Sequence, residues 1–226
     1  MRICVYASSS TRTSDRFMAA GRALGAAIAA GGHVLVNGGG RSGGMGALNE
    51  GCVAAGGRIV CVIHERFVVD GEEFAGAEKM VVAGGDDLGE RKRLLVEHCD
   101  ALIVMPGGVG TLDELWDAAS LQQLGFKTSR PVVLVNLDGY YDATLAQLRR
   151  AHDEGLTSKP PAEILHAVPD VGAALAWCEA QQTADAYTAG HRAFARDAPP
   201  KPLPCFAAGL ACGAALAALL LLGRRP

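Results

Sequence analysis

The chain has 226 residues, half of them hydrophobic, with 29 glycines, few aromatics and a formal charge of −3. That is enough apolar material for one ordinary domain and a smaller extra segment, and without a basic stripe it argues against a nucleic-acid binder. Seven scattered cysteines (Cys4, Cys52, Cys61, Cys99, Cys178, Cys205 and Cys212) form no C-x-x-C pair, so they read as buried thiols of a reducing compartment, not as a disulfide frame or a zinc site.

The opening "MRICVYASSS" enters a strand directly, without the charged leader and apolar stretch of a standard signal peptide, which sets the expectation of a cytoplasmic protein. From Ser14 to Ala30, Phe17, Met18, Leu24 and Ile28 recur at helical spacing, and Gly31 and Gly32 stop the run. "HVLVNGGG" is a second strand, "GMGALNEGCVAAGG" a helix closed by Gly56 and Gly57, "RIVCVI" a third strand and "EKMVVAG" a fourth. "DDLGERKRLLVEHC" is an amphipathic helix with acids first and bases after, the order that suits the helix dipole. "ALIVM" follows as a strand, then the loop "PGGVG", then "TLDELWDAASLQQLG" as a helix. "PVVLVN", "YYDATLAQLRRAHDEG", "ILHAV" and "DVGAALAWCEAQQ" continue the alternation to Gln182. Apolar strands alternating with helices predict an α/β fold, a Rossmann-like doubly wound parallel sheet over residues 1–182. Ligands in such sheets bind at the carboxyl ends of strands, where both glycine clusters fall.

After Gln182 the composition changes. Residues 183–204 are Pro- and Ala-rich and read as a linker. "CFAAGLACGAALAALLLL", Cys205 to Leu222, then runs without charge or proline up to Arg224 and Arg225. As a helix it would span roughly 27 Å, close to the ~30 Å of a bilayer core. It reads either as a C-terminal membrane anchor, the folded domain facing the cytosol, or as an apolar tail helix packed on the domain or on a partner.

The cluster "NGGGRSGGMG" contains G-x-G-x-x-G at Gly38, Gly40 and Gly43, but it follows the second strand, not the first, which argues against a dinucleotide site. Neither cluster continues into Gly-Lys-Ser/Thr, so a Walker loop is excluded. Gly107, Gly108 and Gly110 around Val109, ahead of a helix and beside the Thr111 hydroxyl, have the makings of a phosphate cradle, since bare backbone N–H groups at a helix N-terminus attract anions. A tight turn that binds nothing would use the same glycines. Glu114 shares a helix face with Thr111; a capping box, with Thr111 as N-cap and Glu114 at N3, is the structural alternative. Arg91 and Lys92 read, with Arg93, as a solvated basic face or as part of a site, and His64 as a structural histidine or as an acid or base.

Taken together, "PGGVGTLDE" and the upstream "ERK" resemble the LOG family, whose motif is P-G-G-x-G-T-x-x-E with an upstream R-K. "ICVYASSS", "GGGRSGGMG", "LQQLGF" and "DGYYD" extend the resemblance over roughly residues 2 to 180. The resemblance implies a cytokinin riboside 5′-monophosphate phosphoribohydrolase: a homodimer that needs no cofactor and no metal and releases free base and ribose 5-phosphate from a nucleoside 5′-monophosphate. Carried over residue by residue, it implies Arg91 and Glu114 as the catalytic pair. Gly107, Gly108, Val109, Gly110 and Thr111 would hold phosphate, while Lys92, Ser120 and Glu73 would line the substrate site. The departures, among them Leu88 and Gly89 for Met-His, Gly44 in the first cluster, His64 for Pro and Val109 for Tyr, bear on the preferred base more than on the reaction.

Three competing readings remain. A pyridoxal-phosphate decarboxylase, the label many relatives carry, needs a Schiff-base lysine, and of Lys79, Lys92, Lys127, Lys159 and Lys201 only Lys92 falls in a plausible site. A non-catalytic nucleotide or molybdenum-cofactor binding protein would share the fold and the loop without hydrolysis. A nucleotide sensor tethered by the tail would bind tightly without turnover.

Overall fold

A computed structural model describes residues 1–69, 71–126 and 130–181. The first half runs β1 (Arg2–Tyr6), α1 (Asp15–Ala30), β2 (Val34–Asn37), α2 (Gly43–Ala54), β3 (Arg58–His64), α3 (Glu65–Val69) and β4 (Lys79–Ala83). The second runs α4 (Gly89–Glu97), β5 (Ala101–Val104), α5 (Val109–Leu124), β6 (Val132–Val135), a 3-10 turn (Leu137–Gly139), α6 (Asp142–Asp153), α7 (Pro161–Ile164) and β7 (His166–Val168). A further helix occupies residues 171–181.

The seven strands form one sheet in the order β4-β3-β2-β1-β5-β6-β7. Every pairing is parallel. The five central strands, β3, β2, β1, β5 and β6, are buried on both faces because their alternate residues feed different cores. Ile3, Val5, Leu35, Ile59, Ile103 and Val133 pack with Leu24 and Ile28 of α1, Leu48 of α2 and Cys178 of the last helix. Cys4, Tyr6, Val36, Val62, Leu102 and Leu134 pack on the opposite face with Leu95 of α4, Leu115 and Ala118 of α5 and Leu148 of α6. The expected doubly wound sheet is therefore present. Its strand order reverses between β1 and β5, which opens a crevice where the loops after these strands diverge.

Two details differ from the sequence reading. The short helix α3 directly follows β3, where no helix was expected, and α4 begins at Gly89 instead of in the acidic stretch before it. Asp87 accepts the Gly89 N–H at 2.7 Å and Glu90 accepts the Gly84 N–H at 2.9 Å, so these acids tie the turn together. Cys4, Cys52, Cys61, Cys99 and Cys178 are free and buried, and burial pushes the Cys61 thiol up to about 12, the state of an inert core thiol. The expected linker and apolar tail, with Cys205 and Cys212, lie outside the described residues. Among the described residues no helix is long and apolar enough to cross a membrane, and no cluster of metal-ligating side chains occurs.

Candidate active site

The loop after β5 and the start of α5 form one wall of the crevice. Gly108 is the N-cap of α5, in an extended conformation, and no side chain caps the helix. Its carbonyl accepts the Leu112 N–H at 3.0 Å, so Thr111 is already the third helical residue and Glu114 the sixth. The capping box is thus not formed: the two glycines let the helix begin three residues earlier than the Thr-Leu-Asp-Glu pattern suggests, and Glu114 is free for another partner. The free N–H groups of the first turn of α5 open on a cavity of about 310 Å³, which Ala7, Ser8, Ser9 and Ser10 of the loop after β1 also line. Gly107 is required here by crowding, because a Cβ on it would run into the Thr111 side chain.

Glu114 meets Arg91 in the same cavity wall, Arg91 Nη1 donating to Glu114 Oε1 at 2.8 Å, with each side chain 9% exposed. Arg91 is held from three directions. Its Nε donates to the Val62 carbonyl at 3.2 Å and its Nη2 to the Gly38 carbonyl at 3.5 Å. A Cβ at position 38 would collide with the guanidinium, so the first glycine cluster seats this arginine. Burial pushes the Glu114 carboxyl above the usual carboxylate range, an effect that the neighbouring Arg91 charge only partly offsets. The result is a carboxylate of raised basicity, oriented by a fixed cation, one helical turn behind a set of unpaired backbone donors.

The remaining positions separate. Gly108, Val109, Gly110 and Thr111 line the cavity with Arg91 and Glu114, and Gly107 lines a larger cleft of about 510 Å³ that shares Ser8, Ser10 and Gly108 with it. Lys92 turns away from Arg91 to Asp113 at 3.0 Å and Asp117 at 3.6 Å. Burial works against its charge, but the two acids hold the ammonium above its ordinary range. That is the opposite of what a Schiff-base lysine needs. Ser120 is exposed on α5, donates to its own helix at the Trp116 carbonyl, and lines neither cavity. Glu73 pairs through its backbone with Gly40, and its Oε2 is buried without a partner among the described residues.

His64 is structural in form: Nδ1 accepts the Arg66 N–H at 3.2 Å, so Nε2 carries the proton and donates to the Gly85 carbonyl at 3.0 Å. Sequence reasoning missed the apolar side of the site. Met45, Phe67 and Leu88 line the 310 Å³ cavity, and a recess of about 120 Å³ between Gly38, Ile63 and Glu72 adjoins it through Ser9, Met45, Phe67 and Arg91. Leu88 stands where the family motif has another residue, which was the available signal; nothing local marked Phe67, because it sits on the unexpected helix α3.

The family model described as "Possible lysine decarboxylase" matches residues 45–178. A cytokinin riboside 5′-monophosphate phosphoribohydrolase of Mycobacterium tuberculosis is 38% identical over 176 residues, covering 78% of this chain and 92% of that protein. One of Arabidopsis thaliana is 36% identical over 168 residues, covering 74% and 77%. Among solved structures, the molybdenum cofactor carrier protein of Chlamydomonas reinhardtii superposes with a TM-score of 0.59 at 23% identity, over 80% of this chain and 98% of that one. The molybdenum cofactor binding protein of Rippkaea orientalis gives 0.58 at 20% identity, over 79% and 94%. At such identities these two likenesses speak for the fold alone.

Proposed function

As the chain belongs to the LOG family of cytokinin riboside 5′-monophosphate phosphoribohydrolases, we propose that its site hydrolyses the N-glycosidic bond of adenosine-type 5′-monophosphates, cytokinin ribosides among them, to free base and ribose 5-phosphate. The observation that carries this reading is the buried Arg91–Glu114 pair, 2.8 Å apart, in the same cavity wall as the uncapped N-terminus of α5. Cleaving a ribosyl C–N bond builds positive charge on the sugar, which a nearby carboxylate stabilises while orienting the attacking water. In this scheme Glu114 performs that task, Arg91 holds it in place, and Gly107 to Thr111 bind the 5′-phosphate. Phosphate binding then fixes the sugar against Glu114 by energy supplied away from the reacting bond. The scheme uses water and no cofactor. Carrier proteins of similar fold share the frame, but a buried carboxylate of raised basicity beside an anion cradle is what hydrolysis needs and mere carriage does not.

The test is release of free base from a panel of nucleoside 5′-monophosphates and the matching nucleosides. We expect turnover of AMP-type monophosphates, with nucleosides slower by about 10²-fold or more because they forgo the remote binding energy. Nucleotide binding without release of base would replace the enzyme by a carrier or sensor.

Two further features belong to this reading. Val109, Trp116, Ser120 and Leu124 recur on one exposed face of α5, followed by exposed Phe126. We assign this face to a homodimer contact, which would bring Ser120 to substrate only through a second copy; light scattering on the full chain should give twice the mass of 23.4 kDa. The uncharged run at 205–222 supports a cytoplasmic enzyme tethered to a membrane through its tail. The full chain should partition with detergent and a chain ending at Gln182 should not.

A further inference from the structure

The phosphate loop is built from residues that cannot hold it in place. Gly107 and Gly108 carry no side chains, Gly108 caps α5 without a side-chain bond, and a peptide between two glycines can turn over at little steric cost. Its restraint comes from a distant loop. Tyr140 donates its hydroxyl to the Gly107 carbonyl at 2.6 Å, and the next residue, Tyr141, donates to the Met105 carbonyl at 2.7 Å. Two consecutive tyrosines thus grip the carbonyls on either side of Pro106.

Their own placement is determined in turn. Asp138 and Gly139 both adopt positive φ, 52° and 72°, a conformation that costs energy for the aspartate. Asp138 is tied to Arg16 of α1 at 3.0 Å, and Asn136 accepts the Tyr141 N–H at 2.7 Å. The Tyr140 ring packs edge-on against Phe17 of α1 at 5.4 Å and against Tyr141 at 5.0 Å. Tyr141 is fully buried, whereas Tyr140 is 42% exposed and lines the larger cleft together with Gly107 and Gly108. Since C=O and N–H of a trans peptide point to opposite sides, the Tyr140 bond turns the Gly108 N–H away from the tyrosine. That N–H has no partner among the described residues.

We infer that Tyr140 is a positioning residue: its hydroxyl locks the Gly107–Gly108 peptide in the orientation that offers the Gly108 N–H to the substrate's phosphate. The inference rests on the proposed phosphate site, not on catalysis at Glu114. Tyr140→Phe keeps the ring packing and removes only the bond to Gly107, and because Tyr140 is a surface residue the fold survives the change.

In the full chain, calorimetry with AMP, adenosine and inorganic phosphate is compared between wild type and Tyr140→Phe, and KM and kcat for AMP are measured separately. We expect AMP and phosphate to bind about 3- to 10-fold more weakly, the effect of one lost hydrogen bond, with adenosine affinity unchanged. KM for AMP should rise by the same factor and kcat should stay within about 2-fold, since the bond is made before and during reaction alike. Equal AMP affinity in the two proteins, or equal weakening for adenosine and AMP, would overturn the assignment. If wild type binds AMP without releasing base, the hydrolase reading fails while the affinity ratio still decides the role of Tyr140.

Discussion

Glu114→Gln is expected to lower kcat for release of base from AMP-type monophosphates by about 10²- to 10³-fold, the scale on which removing one charge-stabilising group acts, with KM little changed. Gln has the shape of Glu and can still accept a hydrogen bond from Arg91 Nη1, so the 310 Å³ cavity keeps its form. What it lacks is the negative charge that answers the developing sugar cation. A rise in KM at unchanged kcat would instead make Glu114 a binding group.

The pH profile gives a second reading of the same residue. Glu114 must be ionised to act, and burial raises its carboxyl above the ordinary value despite Arg91. Activity of the wild type should therefore fall on the acid side through a point above the usual carboxylate range, because the carboxylate is lost there while ordinary surface acids are still charged. For stability the sign is opposite to that of a surface salt bridge. The unfolded carboxyl ionises first, so Glu114 favours the folded state most below the unfolded value, and that contribution declines as pH rises through the raised folded value. The thermal midpoint of wild type minus that of Glu114→Gln, followed from acid to neutral pH, should fall over that window and be flat above it, because only the glutamate titrates.

Much of the frame was legible because its signals are local. Alternate apolar residues such as Ile3/Val5 against Cys4/Tyr6 mark a strand buried on both faces, and Gly31 and Gly125 stop helices where the pattern says they should. The site was legible only in part. Arg91 and Glu114 lie 23 residues apart on different helices, and no periodicity brings them together; the motif resemblance did. That Gly38 seats Arg91 depends on a contact across 53 residues, so the same glycine looked like a failed dinucleotide fingerprint. The start of α5 was misplaced because Thr-Leu-Asp-Glu satisfies capping-box chemistry as written, whereas Gly108 in extended conformation starts the helix earlier. Ser120 has the right position in the motif and the wrong side of the helix for its own chain's cavity, a fact fixed by the packing of Leu115, Ala118 and Ala119 into the core.

Arg91→Ala should be the most destabilising single change in the site. It leaves the Glu114 carboxyl buried without its cation and strips the Val62 and Gly38 carbonyls of a donor. Removing one partner of a buried pair costs about 3–5 kcal/mol, roughly 10 °C in melting temperature for a domain of this size. Arg91→Ala combined with Glu114→Ala should recover part of that loss, since no unpaired buried charge then remains, and the shortfall from additivity measures the coupling of the pair. Arg91→Lys keeps the charge but offers one ammonium where three acceptors lie in different directions, so it should fold better than the alanine variant and still lose most turnover. Its kinetics also decide what the arginine does. Three of the five guanidinium N–H groups are committed to Glu114, Val62 and Gly38, which leaves two for a substrate. A fall in kcat at unchanged KM would identify Arg91 as the group that holds Glu114 in line, whereas a rise in KM would mean that the two remaining N–H groups bind substrate directly; the three fixed bonds lead us to expect the first.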